Sequence, residues 1–281
     1  MSWDLTFKRV LERYGGNGVN VFGGIEVGKG ALRIDVLVRC ERSVLPLSGV
    51  GELGFLFSRF SEFNVLEFKS KGERIGLDTL YKLLAYAALY VAENRVSFPE
   101  EDVTAWLVAS KTPVKLLRRY KGLGLLQRLE EGVYLVAGFP FRVFVVAIGE
   151  LRVEPENYPF LIFSSGRTLR EFLRRVIRER NQEYLSIGFL LYYDEVVRIM
   201  AEEQVALDPT SISIRKAVES IGISRVVEEI GLKKLIEEVG LKKVVDEIGL
   251  EKLVDEIGLE KIIRRVGVER VKRALKRIEG S

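Results

Sequence analysis

The 281-residue sequence contains no histidine and a single cysteine, Cys40. The absence of histidine excludes Ser-His-Asp and Cys-His catalysis, as well as metal sites ligated by imidazole. One cysteine forms no internal disulfide and cannot by itself make a zinc site. Any catalysis by this chain must therefore use carboxylates, lysine, tyrosine or a bound cation.

The sequence also lacks any uninterrupted apolar run as long as a membrane span, and its first residues do not resemble a signal peptide. We therefore expect a cytoplasmic protein with no membrane partner. Charged residues make up 30% of the chain, whereas it has only two methionines. This composition favours a heat-adapted source, such as an archaeon or a thermophilic bacterium.

Residues 63–69, which read FNVLEFK, combine an apolar strand pattern with an acid and a lysine two positions apart. Because side chains alternate across a strand, Glu67 and Lys69 point to one face, and Leu66 and Phe68 to the other. Burying an acid–lysine pair on the second face is costly unless that face opens on a cleft. The segment therefore predicts a strand that borders a functional cleft.

A second apolar segment, residues 33–38, carries one embedded acid, Asp35. If the two strands lie side by side, the carboxylates of Asp35 and Glu67 and the ammonium of Lys69 come close together. Such a group can hold a hard divalent cation through its oxygens, while the lysine orients or activates a water molecule.

These segments resemble the catalytic core of the PD-(D/E)xK nuclease superfamily, in which an acid on one strand is followed by E-x-K on the next. The match is best with the branch of recombination-promoting nucleases and transposase-associated proteins. It includes a D-x-x-F-K motif at residues 4–8 and a tyrosine-rich helix after the second strand, and covers about the first third of the chain. One departure is the long gap between Asp35 and Glu67, which implies an insertion at residues 40–61.

The resemblance implies a metal-dependent DNA endonuclease that uses Mg²⁺ or Mn²⁺. Asp35 and Glu67 would ligate the cation, with the Phe68 carbonyl and Asp4 as additional ligands. Lys69 would position the attacking water or stabilise the charge that develops on the phosphate. The reaction would belong to recombination, repair or mobile-element processing.

The first helix, predicted at residues 3–14, carries Asp4, Lys8 and Glu12 on one polar face. In the superfamily this helix often supplies a further acid to the metal site. Asp4 occupies the matching position, and Glu12 is the alternative. A solvated face with ordinary ion pairs is the competing interpretation.

Positive charge is concentrated at residues 111–121, 167–180 and 261–277. Basic helices of this kind contact phosphates without reading base sequence, although a solvated charged face is the ordinary alternative. The predicted DNA-binding residues are Lys82, Arg118, Arg119, Arg170, Arg174 and Arg178.

Hydrophobic periodicity predicts an α/β fold. The predicted strands are residues 19–27, 31–38, 63–69, 104–109, 133–137 and 141–148. The predicted helices are residues 3–14, 77–92, 113–120, 167–180 and 185–201. In the second of these helices the expected buried stripe is Leu77, Leu80, Tyr81, Leu84 and Ala88.

We expect three regions in the chain. Residues 1–165 would form a restriction-endonuclease-like mixed sheet flanked by helices, and residues 166–206 a basic helical extension. Residues 207–281 would be all-α, because a glycine recurs every nine residues from residue 222. We predict a stack of very short helices broken at these glycines. An arm that forms a homo-oligomer is the alternative.

Two other functions compete with the nuclease. The chain could be a non-catalytic DNA-binding or scaffolding protein that keeps the nuclease fold and uses its repeats for assembly. Alternatively, Glu67 and Lys69 could form a purely structural buried ion pair. The intact acids and lysine favour the nuclease, since a degenerate binder has no need of them.

Overall fold

The computed structural model describes residues 3–28, 32–47, 49, 51–205 and 221. Its centre is a seven-stranded mixed sheet with the strand order β1-β2-β3-β4-β7-β6-β5. The strands are β1 Val19–Val27, β2 Leu32–Cys40, β3 Phe63–Lys69, β4 Val103–Ala109, β5 Leu126–Glu130, β6 Val133–Val136 and β7 Arg142–Ala147. Strands β3, β4 and β7 are parallel, and the other neighbours pair antiparallel.

Helices cover both faces of this sheet. They are α1 Trp3–Tyr14, α2 Gly54–Phe57, α3 Leu77–Asn94, α4 Pro99–Asp102, α5 Val114–Gly122, α6 Tyr158–Leu161, α7 Gly166–Glu179, α8 Gln182–Leu191 and α9 Tyr193–Glu203. Within the described ranges, no helix is long and apolar enough to cross a membrane.

Two hydrophobic cores lie on opposite faces of the sheet. On one face, α1 and α6–α9 pack through aromatic contacts; the rings of Phe7 and Phe68 stack at 4.8 Å, and those of Trp106 and Phe144 at 4.2 Å. On the other face, α3 and α5 cover β3 and β4. Since every residue of β4 is buried, the sheet has an apolar centre, as expected for parallel strands covered on both sides.

A buried polar network ties β2, β3 and β4 together at the edge where β3 begins. The Asn64 amide donates hydrogen bonds to the carbonyls of Val38 at 3.1 Å and Ser61 at 2.8 Å. Its oxygen accepts from the Ser61 backbone N–H at 2.8 Å and the Thr104 hydroxyl at 2.6 Å. The network thus joins the end of the predicted insertion to three neighbouring strands.

The sequence-based prediction of an α/β mixed sheet flanked by helices is confirmed, and helix 3–14 and strand 63–69 have the predicted bounds. Strand β5 was not predicted. It is a short edge strand with three charged or amide side chains among its five residues, so its apolar signal is weak. The predicted repeats of residues 207–281 lie outside the described residues, apart from Ile221, which is buried.

Two helix predictions are wrong. The single helix predicted at residues 185–201 is two helices, because the backbone leaves the helical region at Tyr192, with φ −140° and ψ 39°. The Tyr192 hydroxyl donates a hydrogen bond to the Ile162 carbonyl there.

In α3 the predicted buried stripe is also wrong, since Tyr81 and Ala88 are exposed. Most positions of α3 are apolar or aromatic, so more than one stripe fits the helical period. The stripe that is buried consists of Leu80, Leu83, Tyr86, Ala87 and Tyr90.

Candidate active site

Strands β2 and β3 separate where the two predicted acids lie. Their last paired residues are Val36 and Leu66. One position further along each strand stand Asp35 and Glu67, on the face opposite Val36 and Leu66. Leu37, two residues from Asp35, packs in the core beneath α3, so both acids belong to the face that α3 covers.

The structure brings Asp35, Glu67 and Lys69 together. The Lys69 Nζ lies 2.7 Å from Oε1 of Glu67 and 3.9 Å from Oδ2 of Asp35. It also lies 3.4 Å from Oε1 of Glu73 in the loop after β3. The Glu67 side chain is 1% exposed, whereas Asp35 is 21% exposed. The site therefore consists of a buried carboxylate, that of Glu67, and two partly exposed neighbours, Asp35 and Lys69.

Burial and crowding of negative charge govern the protonation of this group. Burial, followed by the negative charges of Glu67 and Asp4, raises the pKa of Asp35 to about 8. Burial lowers the pKa of Lys69, but the adjacent carboxylates of Glu67 and Asp35 outweigh it and raise that pKa above its ordinary value. Lys69 therefore remains an ammonium, and the two carboxyls repel each other once both are ionised.

Glu67 is the least satisfied of these groups. Within the described residues, neither of its buried oxygens accepts a well-aligned hydrogen bond. The only ammonium groups of the described residues within 4 Å belong to Lys69 and, at 3.8 Å, to Lys82 of α3. A buried carboxylate without aligned donors is costly, and a bound cation would remove that cost.

The backbone carbonyl oxygen of Phe68 is also directed toward the region of Asp35. The Ser110 N–H donates to the Lys69 carbonyl at 2.9 Å, on the β4 side of β3. Successive carbonyls of a strand point in opposite directions within the sheet, so the Phe68 carbonyl points to the β2 side. There the pairing with β2 has already ended at Leu66, which leaves the Phe68 carbonyl directed toward the region of Asp35.

These groups could hold a hard divalent cation, although the described residues contain no cluster of three or more acids or cysteines arranged for a metal. Two carboxyls that both lie within 4 Å of the Lys69 ammonium, and one backbone carbonyl, supply oxygen ligands of the kind that Mg²⁺ and Mn²⁺ prefer. Water completes such sites. The unsatisfied oxygens of Glu67 and the raised pKa of Asp35 both fit this chemistry.

The first helix contributes to a cleft beside the two acids. Asp4 and Asp35 both line a cleft of about 380 Å³, together with the basic residues Lys8 and Arg33. Glu12, the sequence alternative to Asp4, instead forms an ion pair with Lys8 at 3.3 Å. Of the two first-helix acids, Asp4 is therefore the one beside Asp35.

Glycine keeps this cleft open on the β1 side. Gly24 has a positive φ of 64°, and a Cβ there would lie 2.7 Å from the Arg33 guanidinium. A Cβ on Gly23 would lie 3.0 Å from the Lys8 side chain. Only glycine therefore lets the two basic side chains lie against this part of the strand.

The predicted DNA-binding residues fall into two groups. Lys82, Arg118 and Arg119 are exposed on α3 and α5, on the α3-covered side of the sheet. Arg170, Arg174 and Arg178 of α7 face α9 and are paired with its carboxylates. The paired acids are Glu195, Glu202 and Glu203, at nitrogen–oxygen distances of 2.7–2.9 Å. Their contact with DNA stays a prediction, and this pairing argues against it.

One residue of the site was missed from the sequence. Glu73 approaches Lys69, and its other carboxylate oxygen accepts a hydrogen bond from the Ser70 N–H at 2.7 Å. It lies in a polar loop, where neither helical nor strand periodicity indicates which way a side chain points.

Comparison with known proteins finds no matching family model, curated protein or solved structure for this chain. The likeness to PD-(D/E)xK nucleases therefore stays a prediction, based on the motifs and on the arrangement of the strands that carry them.

Proposed function

We propose that this protein is a metal-dependent DNA endonuclease with a restriction-endonuclease-like fold. The observation that carries the proposal is the position of the Lys69 ammonium, 2.7 Å from Oε1 of Glu67 and 3.9 Å from Oδ2 of Asp35, where the pairing of β2 with β3 ends. A buried acid pair of this kind costs stability, and cation binding is the simplest function that offsets the cost.

In this proposal Asp35, Glu67 and the Phe68 carbonyl hold Mg²⁺ or Mn²⁺, and Asp4 adds negative charge from α1. The cation supplies Lewis-acid stabilisation of the phosphate oxygens. Lys69, kept as an ammonium by its carboxylate neighbours, donates hydrogen bonds that position the attacking water or stabilise the developing negative charge. As an ammonium, Lys69 has no lone pair with which to take a proton from that water.

The metal site is tested by titrating the purified protein with Mn²⁺ in an isothermal titration calorimeter. Wild-type protein is expected to bind Mn²⁺, and Asp35→Asn to bind it at least about tenfold more weakly, because one carboxylate ligand is lost. Asp102→Asn is the matched control, since Asp102 is paired with Arg42 near the start of β3, whereas Lys69 lies at the end of that strand. Equal Mn²⁺ affinity in Asp35→Asn and wild type would contradict the site.

Catalysis is tested by incubating the protein with plasmid, single-stranded and branched DNA in Mg²⁺, Mn²⁺ or chelator. Cleavage that needs the metal and is lost in Lys69→Ala supports the nuclease. DNA binding without a metal site or cleavage would instead support the non-catalytic binding alternative.

We expect alanine substitutions in α5 and in α7 to have different effects on DNA binding. Arg118→Ala with Arg119→Ala is expected to weaken binding and to lower the slope of log K against log salt by about 2, one unit for each lost phosphate contact. Arg170→Ala with Arg174→Ala removes the same charge from residues already paired with carboxylates. We expect this second variant to bind like wild type. Salt-dependent fluorescence anisotropy measures both, and equal losses in the two variants would contradict the assignment.

A further inference from the structure

Helix α5 and the adjoining turn of α3 form a surface that combines positive charge with an exposed aromatic ring. We refer to it as the α5 surface. Its residues are Tyr81, Lys82, Lys111, Lys115, Arg118 and Arg119. It lies beside the candidate active site, because Lys82 belongs to it and reaches within 3.8 Å of Glu67.

Four of the five charges of the α5 surface are unpaired, Lys82 being the exception. Lys111, Lys115, Arg118 and Arg119 are all exposed, and no carboxylate in the described part of the chain forms an ion pair with them. The α7 arginines, by contrast, are paired with the acids of α9. An unpaired basic helix next to a phosphate-cleaving site attracts polyanions.

Tyr81 gives the α5 surface a second property. Its side chain is 57% exposed, although most of the ring surface of a tyrosine is apolar. Burial, followed by the neighbouring phenol of Tyr81, raises the pKa of Tyr120, which places Tyr81 close to α5. The Tyr120 ring in turn lies 6.1 Å from that of Phe139. The exposed ring of Tyr81 therefore lies beside the basic residues of α5.

We propose that the α5 surface binds a single-stranded segment of nucleic acid, with one base stacked on Tyr81 and the phosphates along α5. This inference rests on the proposed nuclease function and names the substrate class of that site. Exposed aromatic rings among basic side chains are how proteins hold single strands, because a base must be unstacked before it can use the ring. In a duplex the bases are already stacked, so Tyr81 adds nothing to duplex binding.

The test uses the full chain in EDTA, so that binding is measured without cleavage. Anisotropy is recorded with fluorescein-labelled oligo(dT), oligo(rU) and a blunt DNA duplex. Tyr81→Ala is expected to weaken binding to the single strand about tenfold and to leave duplex binding within about twofold. Tyr81→Phe retains the ring and is expected to restore most of the affinity. Tyr193→Ala is the matched control, because Tyr193 is 61% exposed on α9.

The outcomes separate this inference from the nuclease proposal. A Tyr81-dependent preference for oligo(dT) or oligo(rU) supports the α5 surface and tells which sugar it accepts, whether or not cleavage is seen. Tighter duplex binding by wild type, or equal effects of Tyr81→Ala on the single strand and the duplex, would overturn it. Metal-dependent cleavage with no effect of Tyr81→Ala would leave the nuclease intact and remove the inference.

Discussion

Replacing Glu67 by glutamine is expected to lower metal-dependent DNA cleavage by about 10²–10³-fold. Glutamine has nearly the same shape, so the side chain still fills its buried position, but it lacks the negative charge that would hold the cation. Lys69 also loses its nearest carboxylate, at 2.7 Å, and is less well fixed. Initial rates of plasmid cleavage at saturating Mg²⁺ measure the loss.

The control for this substitution is Glu62→Gln, which makes the same chemical change just before β3. Glu62 is 15% exposed and paired with Arg42 at 2.5 Å, far along the strand from Lys69. Its cleavage rate is expected to stay within about twofold of wild type. A Glu67→Gln rate within tenfold of wild type would remove Glu67 from the catalytic group.

The stability of Glu67→Gln decides between a functional site and a structural ion pair. If Glu67 serves only as the structural partner of Lys69, its removal breaks a largely buried ion pair, which typically costs about 3–5 kcal/mol. In the arrangement described here, Asp35 remains 3.9 Å from Lys69 and its repulsion with Glu67 is relieved. We therefore expect the free energy of unfolding without metal to fall by less than about 1 kcal/mol, or to rise. Urea unfolding in EDTA measures the difference.

Strand β3 was predictable because polar and apolar side chains alternate along it. The side-chain period of a strand places Glu67 and Lys69 on one face of the sheet and Phe68 on the other. The sequence predicts that Asp35 and Glu67 come close together only on the condition that their two strands lie side by side. Their proximity depends on the pairing of Val36 with Leu66 across the insertion, and periodicity within a strand carries no information about register between strands.

The surfaces were less predictable than the strands. The sequence shows that Arg170, Arg174 and Arg178 share a helical face, but it does not show that α9 folds back and presents three glutamates to that face. The break at Tyr192 that allows this depends on a tertiary hydrogen bond. The exposure of Tyr81 could not be predicted from the sequence either, because α3 has more apolar positions than its one buried face requires.

Asn64→Leu is expected to lower the free energy of unfolding by about 3 kcal/mol or more, because leucine fills the space of asparagine but makes none of its hydrogen bonds to Ser61, Val38 and Thr104. The Ser61 N–H and the Thr104 hydroxyl would each lose a buried partner. Urea unfolding measures the loss, and Asn94→Leu is the control. Asn94 bonds only the Tyr90 carbonyl at the end of α3, so its loss is expected to stay below about 1 kcal/mol.

Because Asn64 fixes β2 against β3, Asn64→Leu is also expected to weaken Mn²⁺ binding, although Asn64 lies at the opposite end of β3 from Lys69. The register that pairs Val36 with Leu66 is what brings the two acids together, and looser pairing increases the spread of their separations. An unfolding free energy within 1 kcal/mol of wild type would show that the network does not hold the register. Full Mn²⁺ affinity in a strongly destabilised Asn64→Leu would show that the acid pair is positioned by other contacts, such as those of α3.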